Sequence, residues 1–297
     1  MTLLNAFVNQ YRSIWSSGVL GCLYCESWDG IDRRAEVSAI QSYITGSGVG
    51  LDFLNKNVAP HFSASLFDIK FAGVFCHKKP IVQRTPRSLT AHPSPRPGCE
   101  LGDLLVAFLL LDANGDLHYY ASSLFQAKAK DKLDSLTQQY LYEKDKSFVL
   151  PSNLGGAERA LPTIKKERSR ALRYLLMGDH RATHHVDARR TPWSSTASVE
   201  WIEFIHKLLQ GSEGLKAAPS PCGSAWDVIN HDLLMMATNV PHNKPPRGNN
   251  VAAKLATGVF NNFSSSERWC ANSEQEGVPT ILVIAAAKEP FELPAED

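Results

Sequence analysis

Residues 99–130, "CELGDLLVAFLLLDANGDLHYYASSLFQAKAK", carry the strongest structural pattern in the sequence. It contains two apolar runs, residues 101–112 and 117–128, that are typical of β-strands. Between them lies Asn114-Gly115, the dipeptide that most strongly indicates a two-residue hairpin of type I′, because such a turn needs a positive φ at both positions. The sequence therefore predicts a β-hairpin here.

Three polar residues interrupt this apolar hairpin. Counting outward from a two-residue turn pairs Asp103 with Gln126, and opposed residues have Cβ atoms about 5 Å apart. Lys128 projects from the same face as Gln126, because side chains alternate along a strand. If no bulge shifts the register, an acid, an amide and an amine meet at the end of the hairpin away from the turn.

Both faces of the hairpin are otherwise apolar. This pattern is typical of a central pair of strands covered by layers on both sides. Polar groups in such a place are costly unless they pair or bind something. One face would hold Leu105, Ala107, Leu109, Tyr120 and Leu124, and the other Leu104, Val106, Phe108 and Phe125.

Length and composition leave the class of protein broad. The 297 residues are 43% hydrophobic and carry a net charge of +1, so no global field indicates nucleic acid or membrane as a partner. The longest apolar runs, residues 104–111 and 281–287, are far shorter than the roughly 20 residues that span a bilayer. Six irregularly spaced cysteines do not indicate a disulfide framework. We expect a soluble cytoplasmic protein without a secretory leader.

The remaining pattern predicts an α/β core followed by a helical accessory region. Residues 1–180 form the expected core, and residues 181–297 form the accessory region, whose final strand returns to the core sheet. That region could bind a partner protein or support a homo-oligomer. Helices are predicted over residues 3–16, 51–58, 130–145, 199–210, 224–240 and 251–263. A further predicted helix begins near Asp29 or Asp32 and ends at residue 45. Outside the hairpin, strands are predicted over residues 65–77, 171–178 and 278–287.

The strand-initial Asp103, the hairpin and the sequence "QAK" (126–128) resemble the D…QxK variant of the PD-(D/E)xK nuclease superfamily. The resemblance covers roughly residues 25–180. It implies a restriction-endonuclease-like fold, in which a mixed β-sheet is flanked by helices in the order helix, three strands, helix, strand. The predicted elements follow that order.

The resemblance also implies a catalytic site. Asp103 would ligate Mg²⁺ or Mn²⁺, and Gln126 would stand where the family more often has a carboxylate. Lys128 would help to place and activate the attacking water. Either Glu36, on the first core helix, or Glu100 would share the metal, and the backbone carbonyl of Ala127 is a further candidate ligand.

A basic stretch precedes the proposed acid. Five prolines between residues 80 and 97 are expected to exclude regular structure. Its cations would either neutralise phosphates of a nucleic acid or lie in a solvated loop. They are Lys78, Lys79, Arg84, Arg87 and Arg96.

The resemblance implies a Mg²⁺-dependent endodeoxyribonuclease, of the kind found in restriction or anti-phage defence. One alternative is a catalytically inactive protein of the same fold that binds DNA or another protein, and another is a nuclease acting on RNA. A structural interpretation also stands: Asp103 would begin a strand, Gln126 would be a satisfied core amide, and Lys128 would lead into a solvated helix.

Other motifs have weaker functional interpretations. Cys22 and Cys25 form a CxxC without a second such motif, so a zinc site or a redox pair lacks its remaining partners. A histidine-rich segment is either a metal cluster or a polar loop: His180, His184, His185 and Asp187. The aromatic residues Trp201, Phe204 and Trp226 lie at helical spacing, which favours core packing over base stacking.

Overall fold

The structure is a computed structural model that describes residues 2–129, 135–177, 186–189, 200–218, 223–238, 254, 268–270 and 276–290. The predicted helix over 251–263 lies outside the described residues, apart from residue 254. The same is true of the histidines at 180, 184 and 185 and of the first part of the predicted helix 130–145.

Nine α-helices and twelve strands are found among the described residues. The helices are α1 (Leu3–Trp15), α2 (Val19–Glu26), α3 (Glu36–Thr45), α4 (Gly50–Asn57), α5 (Pro86–Ala91), α6 (Leu136–Glu143), α7 (Lys165–Ala171), α8 (Trp201–Leu209) and α9 (Ala225–Thr238). The strands are β1 (Phe67–Phe75), β2 (Ile81–Arg84), β3 (Gly98–Glu100), β4 (Leu104–Leu111), β5 (Leu117–Lys128), β6 (Ser147–Val149), β7 (Glu158–Ala160), β8 (Leu172–Leu176), β9 (Asp187–Arg189), β10 (Leu215–Lys216), β11 (Arg268–Cys270) and β12 (Thr280–Ala287).

A mixed central sheet organises the fold. Within the described residues its strand order is β11-β1-β12-β4-β5-β8-β9, with β10 added beside β5. The pair β4–β5 is antiparallel, whereas β12–β4 and β5–β8 are parallel. The fold is thus α/β with a mixed sheet, as the sequence predicted at that level. Strand β12 lies between β1 and β4, so the three early strands are not all neighbours.

Apolar layers cover both faces of the β4–β5 hairpin, and this expectation is confirmed. Leu104, Val106, Phe108 and Phe125 belong to one hydrophobic core, with residues of α1, α3, α4 and α8. Leu105, Ala107, Leu109, Tyr120 and Leu124 belong to the other, with residues of α6 and α9. Polar side chains on these strands can therefore approach solvent only where the strands end.

The hairpin has the predicted register but not the predicted turn. Asp112 N–H donates to Asp116 O at 2.9 Å, so three residues form the loop, and only Gly115, at φ 84°, has a positive φ. A bulge at His118 then adds one residue to β5. The longer loop and the bulge offset each other, and Leu104 faces Phe125 as a two-residue turn would require.

The proline-rich stretch is more regular than the sequence predicted. It forms β2 and α5, where Pro86 occupies the first turn of the helix, a position that needs no N–H partner. Strand β2 belongs to a second sheet with the order β3-β2-β6-β7. The prolines fall outside the paired residues of β2, so they do not interrupt its hydrogen bonds.

A buried ion pair holds this second sheet together. Arg84 donates to both carboxylate oxygens of Asp145, at 2.6 and 2.8 Å, and neither side chain is exposed. The guanidinium also donates to His92 O and Ser94 Oγ, each at 2.8 Å, and lies over the ring of Tyr140. This network joins β2, the loop after α5 and the end of α6.

Two helices differ from the sequence prediction. Helix α3 begins at Glu36 rather than near residue 29 or 32, because Asp32 accepts hydrogen bonds from the backbone and guanidinium of Arg34 in a local turn. Helix α2, which carries the CxxC motif, was not predicted.

No helix among the described residues is long and apolar enough to cross a membrane.

Replacing Arg84 with alanine should lower the free energy of unfolding by about 3–5 kcal/mol, because it leaves the Asp145 carboxylate buried without its partner. Chemical denaturation monitored by circular dichroism measures this loss. Arg87→Ala, which removes an exposed guanidinium from the same segment, should change stability by no more than about 0.5 kcal/mol. Equal effects of the two substitutions would contradict the assignment of Arg84 to the core.

Candidate active site

The carboxylate of Asp103 is the centre of a buried polar cluster at the end of the hairpin. Asp103 N–H donates to Phe125 O at 2.8 Å, which extends the β4–β5 pairing by one residue. Its Oδ2 accepts hydrogen bonds from Ala127 N, at 2.7 Å, and from Gln126 Nε2. Only 1% of Asp103 is exposed. The predicted contact between Asp103 and Gln126 is therefore present.

Gln126 is equally buried, with 1% of its surface exposed. Its amide nitrogen donates to Asp103, but its Oε1 has no hydrogen-bond partner among the residues that the structure describes. A buried oxygen without a partner loses the hydrogen bonds that water would have given it, at a cost of about 1–3 kcal/mol. A bound cation or water would compensate this loss.

The cation that contacts Asp103 is Lys79. Its ammonium donates to Asp103 Oδ1 and, at 3.3 Å, to Glu100 Oε2. The side chain of Lys79 is 7% exposed and that of Glu100 40%. From the sequence, Lys79 was predicted to contact DNA from a loop. The structure corrects this prediction, because the ammonium of Lys79 belongs to the polar cluster around Asp103. No local pattern marks it, since it merely follows Lys78 after β1.

The two charges at the centre of the cluster have shifted pKa values. Burial raises the pKa of Asp103, and the opposing effect of the Lys79 ammonium does not cancel that rise. Burial acts to lower the pKa of Lys79, but the carboxylates of Asp103 and Glu100 outweigh it, so this pKa is raised. Lys79 is therefore charged. Because the pKa of Asp103 stays raised despite Lys79, a further positive charge nearby would stabilise the ionised form of its carboxylate.

Glu36 and Lys128 lie at the end of β5. Glu36, in the first turn of α3, accepts a hydrogen bond from Ala129 N at 2.9 Å. Lys128 is 7% exposed and shares the face of Gln126, two residues along the strand. The two acids proposed as the second metal ligand therefore have different partners. Glu100 accepts a hydrogen bond from Lys79, as Asp103 does, whereas Glu36 accepts one from the backbone just after Lys128. Ala127 contributes its N–H group to Asp103.

Tyr142 of α6 packs against the residues that lead into Asp103. Its hydroxyl donates to Leu101 O at 3.0 Å, and its side chain is buried. Burial, with a smaller contribution from Asp103, raises the pKa of this phenol well above its ordinary value, so it stays a neutral donor. Tyr142 carries no motif, so it was not predicted from the sequence. The contact fixes the backbone before Asp103.

The basic residues proposed for nucleic-acid binding are not all available. Arg84 is buried in its ion pair with Asp145, so it cannot contact a phosphate, and the prediction for it was wrong. Lys78, Arg87 and Arg96 are exposed. These three cations remain candidates for phosphate contacts.

The other sequence motifs stay outside the cluster. Cys22 is exposed and Cys25 half-buried on α2, and burial raises the pKa of Cys25, which disfavours the reactive thiolate. Trp201 and Phe204 pack in the core beside α1 and α3, and Trp226 packs in the opposite core. Within the described ranges, no three His, Cys, Asp or Glu side chains converge as a preformed metal centre.

The donor atoms of the cluster nevertheless suit a hard cation. Asp103 and Glu100 offer carboxylate oxygens, and Gln126 Oε1 is an unpartnered amide oxygen, which are the ligand types that Mg²⁺ prefers. Lys79 now satisfies the carboxylates that such an ion would use. The residues therefore fit Mg²⁺ or Mn²⁺ by their chemistry, provided that the ammonium moves.

Comparisons with known proteins give no relative: neither a family model, nor a curated protein, nor a solved structure matches this chain.

Gly102→Ala should lower the free energy of unfolding by about 1–3 kcal/mol, because overpacking a dense core strains its neighbours. The new Cβ would lie 2.6 Å from Leu124 Cδ1 and 3.0 Å from Tyr142 Oη. Chemical denaturation measures the effect.

Gly21→Ala is the control for this substitution. The nearest atom to its Cβ would be the flexible end of Ile202, at 3.3 Å, on the surface of helix α2. Stability should stay the same or rise by up to about 1 kcal/mol, since alanine favours helix over glycine. A Gly102→Ala protein as stable as the parent would contradict the tight packing around Asp103.

Proposed function

We propose that this chain is a metal-dependent nuclease that hydrolyses DNA phosphodiester bonds, with Asp103, Gln126 and Lys128 at its centre. The observation that carries the proposal is the direct contact of Asp103 with Gln126 at the end of a buried hairpin, beside an amide oxygen that has no partner. An apolar sheet gains no stability from such a group. A bound cation would give this oxygen a partner and offset the buried carboxylate, and a phosphate of the substrate could then bind the cation.

Carboxylate and amide oxygens would hold the metal. Asp103 and Gln126 Oε1 would be the inner ligands, and Glu100, as the accessible acid, would be the outer one. A bound Mg²⁺ would lower the pKa of a water ligand and offset the negative charge that develops on the phosphate. Because Gln126 is neutral where the family more often has an acid, binding should depend strongly on the second carboxylate.

The remaining polar groups would orient the reactants. The ammonium of Lys128, on the same face as Gln126, would position the attacking water and interact with the charged phosphate oxygens. Glu36 holds Ala129 N–H, which fixes the backbone just after Lys128. Ala127 N–H fixes the Asp103 carboxylate in turn. The protein would thus supply preorganised charge rather than a covalent intermediate.

The order of elements supports a restriction-endonuclease-like core. Helix α3, strands β1, β4 and β5, helix α6 and strand β8 follow the order helix, three strands, helix, strand. Several features interrupt this series. Helices α4, α5 and α7 lie between its members along the chain, β12 lies between β1 and β4 in the sheet, and the second sheet is built partly from the segment between β1 and β4.

A second candidate function is a catalytically inactive protein of the same fold that binds DNA or another protein. One observation favours it: the hydrogen bonds of Lys79, Gln126 and Ala127 already satisfy both oxygens of Asp103. In this interpretation Lys79 permanently replaces the metal.

Cleavage of plasmid DNA in Mg²⁺ or Mn²⁺ should be lost, by about 100-fold or more, in Asp103→Asn and in Lys128→Met, since each removes a charge placed at the reacting phosphate. Loss of supercoiled plasmid on agarose gels measures the rate. The same assay with single-stranded RNA distinguishes a ribonuclease.

Matched controls are Asp116→Asn, on an exposed residue at the other end of the hairpin, and Lys166→Met, on an exposed residue of α7. Both should cleave like the parent. Metal-dependent cleavage that persists in Asp103→Asn at the parent rate would exclude this site. Intact DNA with every variant, together with tight DNA binding, would favour the inactive candidate.

Combined alanine substitution of Arg87 and Arg96 should weaken DNA binding and flatten its salt dependence. The slope of log K against log salt should fall in magnitude by about 0.9 for each phosphate that the variant no longer neutralises. Fluorescence anisotropy with labelled duplex DNA at several salt concentrations measures it. An unchanged slope would remove these two exposed arginines from the interface.

A further inference from the structure

Lys79 occupies the place between two acids that a bridging cation would take. Its ammonium donates to Asp103 Oδ1 on the buried side and to Glu100 Oε2 on the accessible side. The exposed fraction of these side chains rises from 1% at Asp103 to 7% at Lys79 and 40% at Glu100. An ion that approaches Asp103 past Glu100 would therefore meet the Lys79 ammonium.

The backbone on both sides of Lys79 is held firmly. Gly277 N donates to Lys78 O at 2.8 Å, and Leu101 N donates to Pro80 O at 3.0 Å. These bonds tie the segment to the residues that precede β12 and to those that precede Asp103. The flexible part is the four-carbon side chain, which can withdraw the ammonium while the backbone stays in place.

The ammonium of Lys79 is shared between two acids. Two carboxylates face one ammonium, and the amide oxygen of Gln126 beside them has no partner. A divalent cation would match both acids and give Gln126 Oε1 a ligand position. It could not share the place with the ammonium, because like charges at contact distance repel strongly.

We propose that Lys79 is a tethered cation that fills the metal site in the ion-free protein and must be displaced by the incoming divalent ion. The inference rests on the proposed nuclease function, because it assumes that the cluster binds a metal. When no divalent ion is bound, the ammonium of Lys79 offsets part of the negative charge of Asp103 and Glu100. It also weakens metal binding, so that the site fills only when the gain in binding exceeds the loss of these two ion pairs.

Titration calorimetry of DNA-free protein with MnCl₂ tests the proposal without reference to activity. Lys79→Met and Lys79→Gln should bind Mn²⁺ about tenfold tighter or more, because the competing charge is gone. Lys79→Gln retains a hydrogen-bond donor for the two acids if the methionine variant does not fold. Lys166→Met, which removes an exposed ammonium elsewhere, should bind like the parent, and Asp103→Asn should bind weakly or not at all.

The outcomes separate the two proposals. If Asp103→Asn abolishes binding but both Lys79 variants bind no tighter than the parent, the role of Lys79 is overturned and the metal site remains. If no variant, including those of Lys79, binds Mn²⁺, both proposals are overturned.

A second measurement uses the unmodified protein. A succinimidyl ester in limiting amount should acylate Lys79 slowly without metal, since its ammonium is held by two carboxylates. Saturating Mg²⁺ should increase that rate several-fold, as quantified by mass spectrometry of the peptide that contains Lys79, with Lys166 as the internal reference. A rate for Lys79 that Mg²⁺ leaves unchanged or lowers would overturn the displacement.

Discussion

The buried carboxylate of Asp103, at the end of an apolar hairpin, organises the polar groups around it. Asp103 is 1% exposed, and an unpaired charge there would cost several kcal/mol. Gln126, the N–H group of Ala127 and the ammonium of Lys79 together meet that demand. Gln126 and Ala127 are neighbours on β5, whereas Lys79 lies between β1 and β2, so the position of Asp103 depends on the correct assembly of β4, β5 and the residues that follow β1.

The central sheet explains why the polar groups gather at this end. Strand β4 is buried along its whole length and β5 from Tyr119 onward, with apolar layers on both faces. Parallel pairing with β12 on one side and β8 on the other closes both edges of the hairpin. The polar cluster around Asp103 lies at the end of these strands. There Glu36 of α3 contacts the backbone of Ala129, and Tyr142 of α6 contacts the backbone of Leu101.

Much of this arrangement could be predicted because it is encoded locally. The apolar runs predicted β1, β4, β5 and β8, and the pairing of Asp103 with Gln126 followed from the position of the turn, although a longer loop and a bulge at His118 replaced the expected type I′ turn. The place of Lys79 was not predictable, since it depends on backbone contacts of Lys78 with Gly277, far along the chain. The second sheet was missed for the same reason: Arg84 and Asp145 stabilise it across long sequence separation, and no local pattern shows that contact.

Anomalous diffraction from crystals grown with Mn²⁺ would show whether a divalent ion binds at Asp103 and displaces Lys79. We expect one manganese peak within bonding distance of an Asp103 carboxylate oxygen and of Gln126 Oε1, because small hard cations bind oxygen ligands directly. In the same crystal the Lys79 ammonium should have left Asp103. The opposite result is a crystal at saturating Mn²⁺ with no peak beside Asp103 and Gln126 Oε1, in which Lys79 still bridges Asp103 and Glu100.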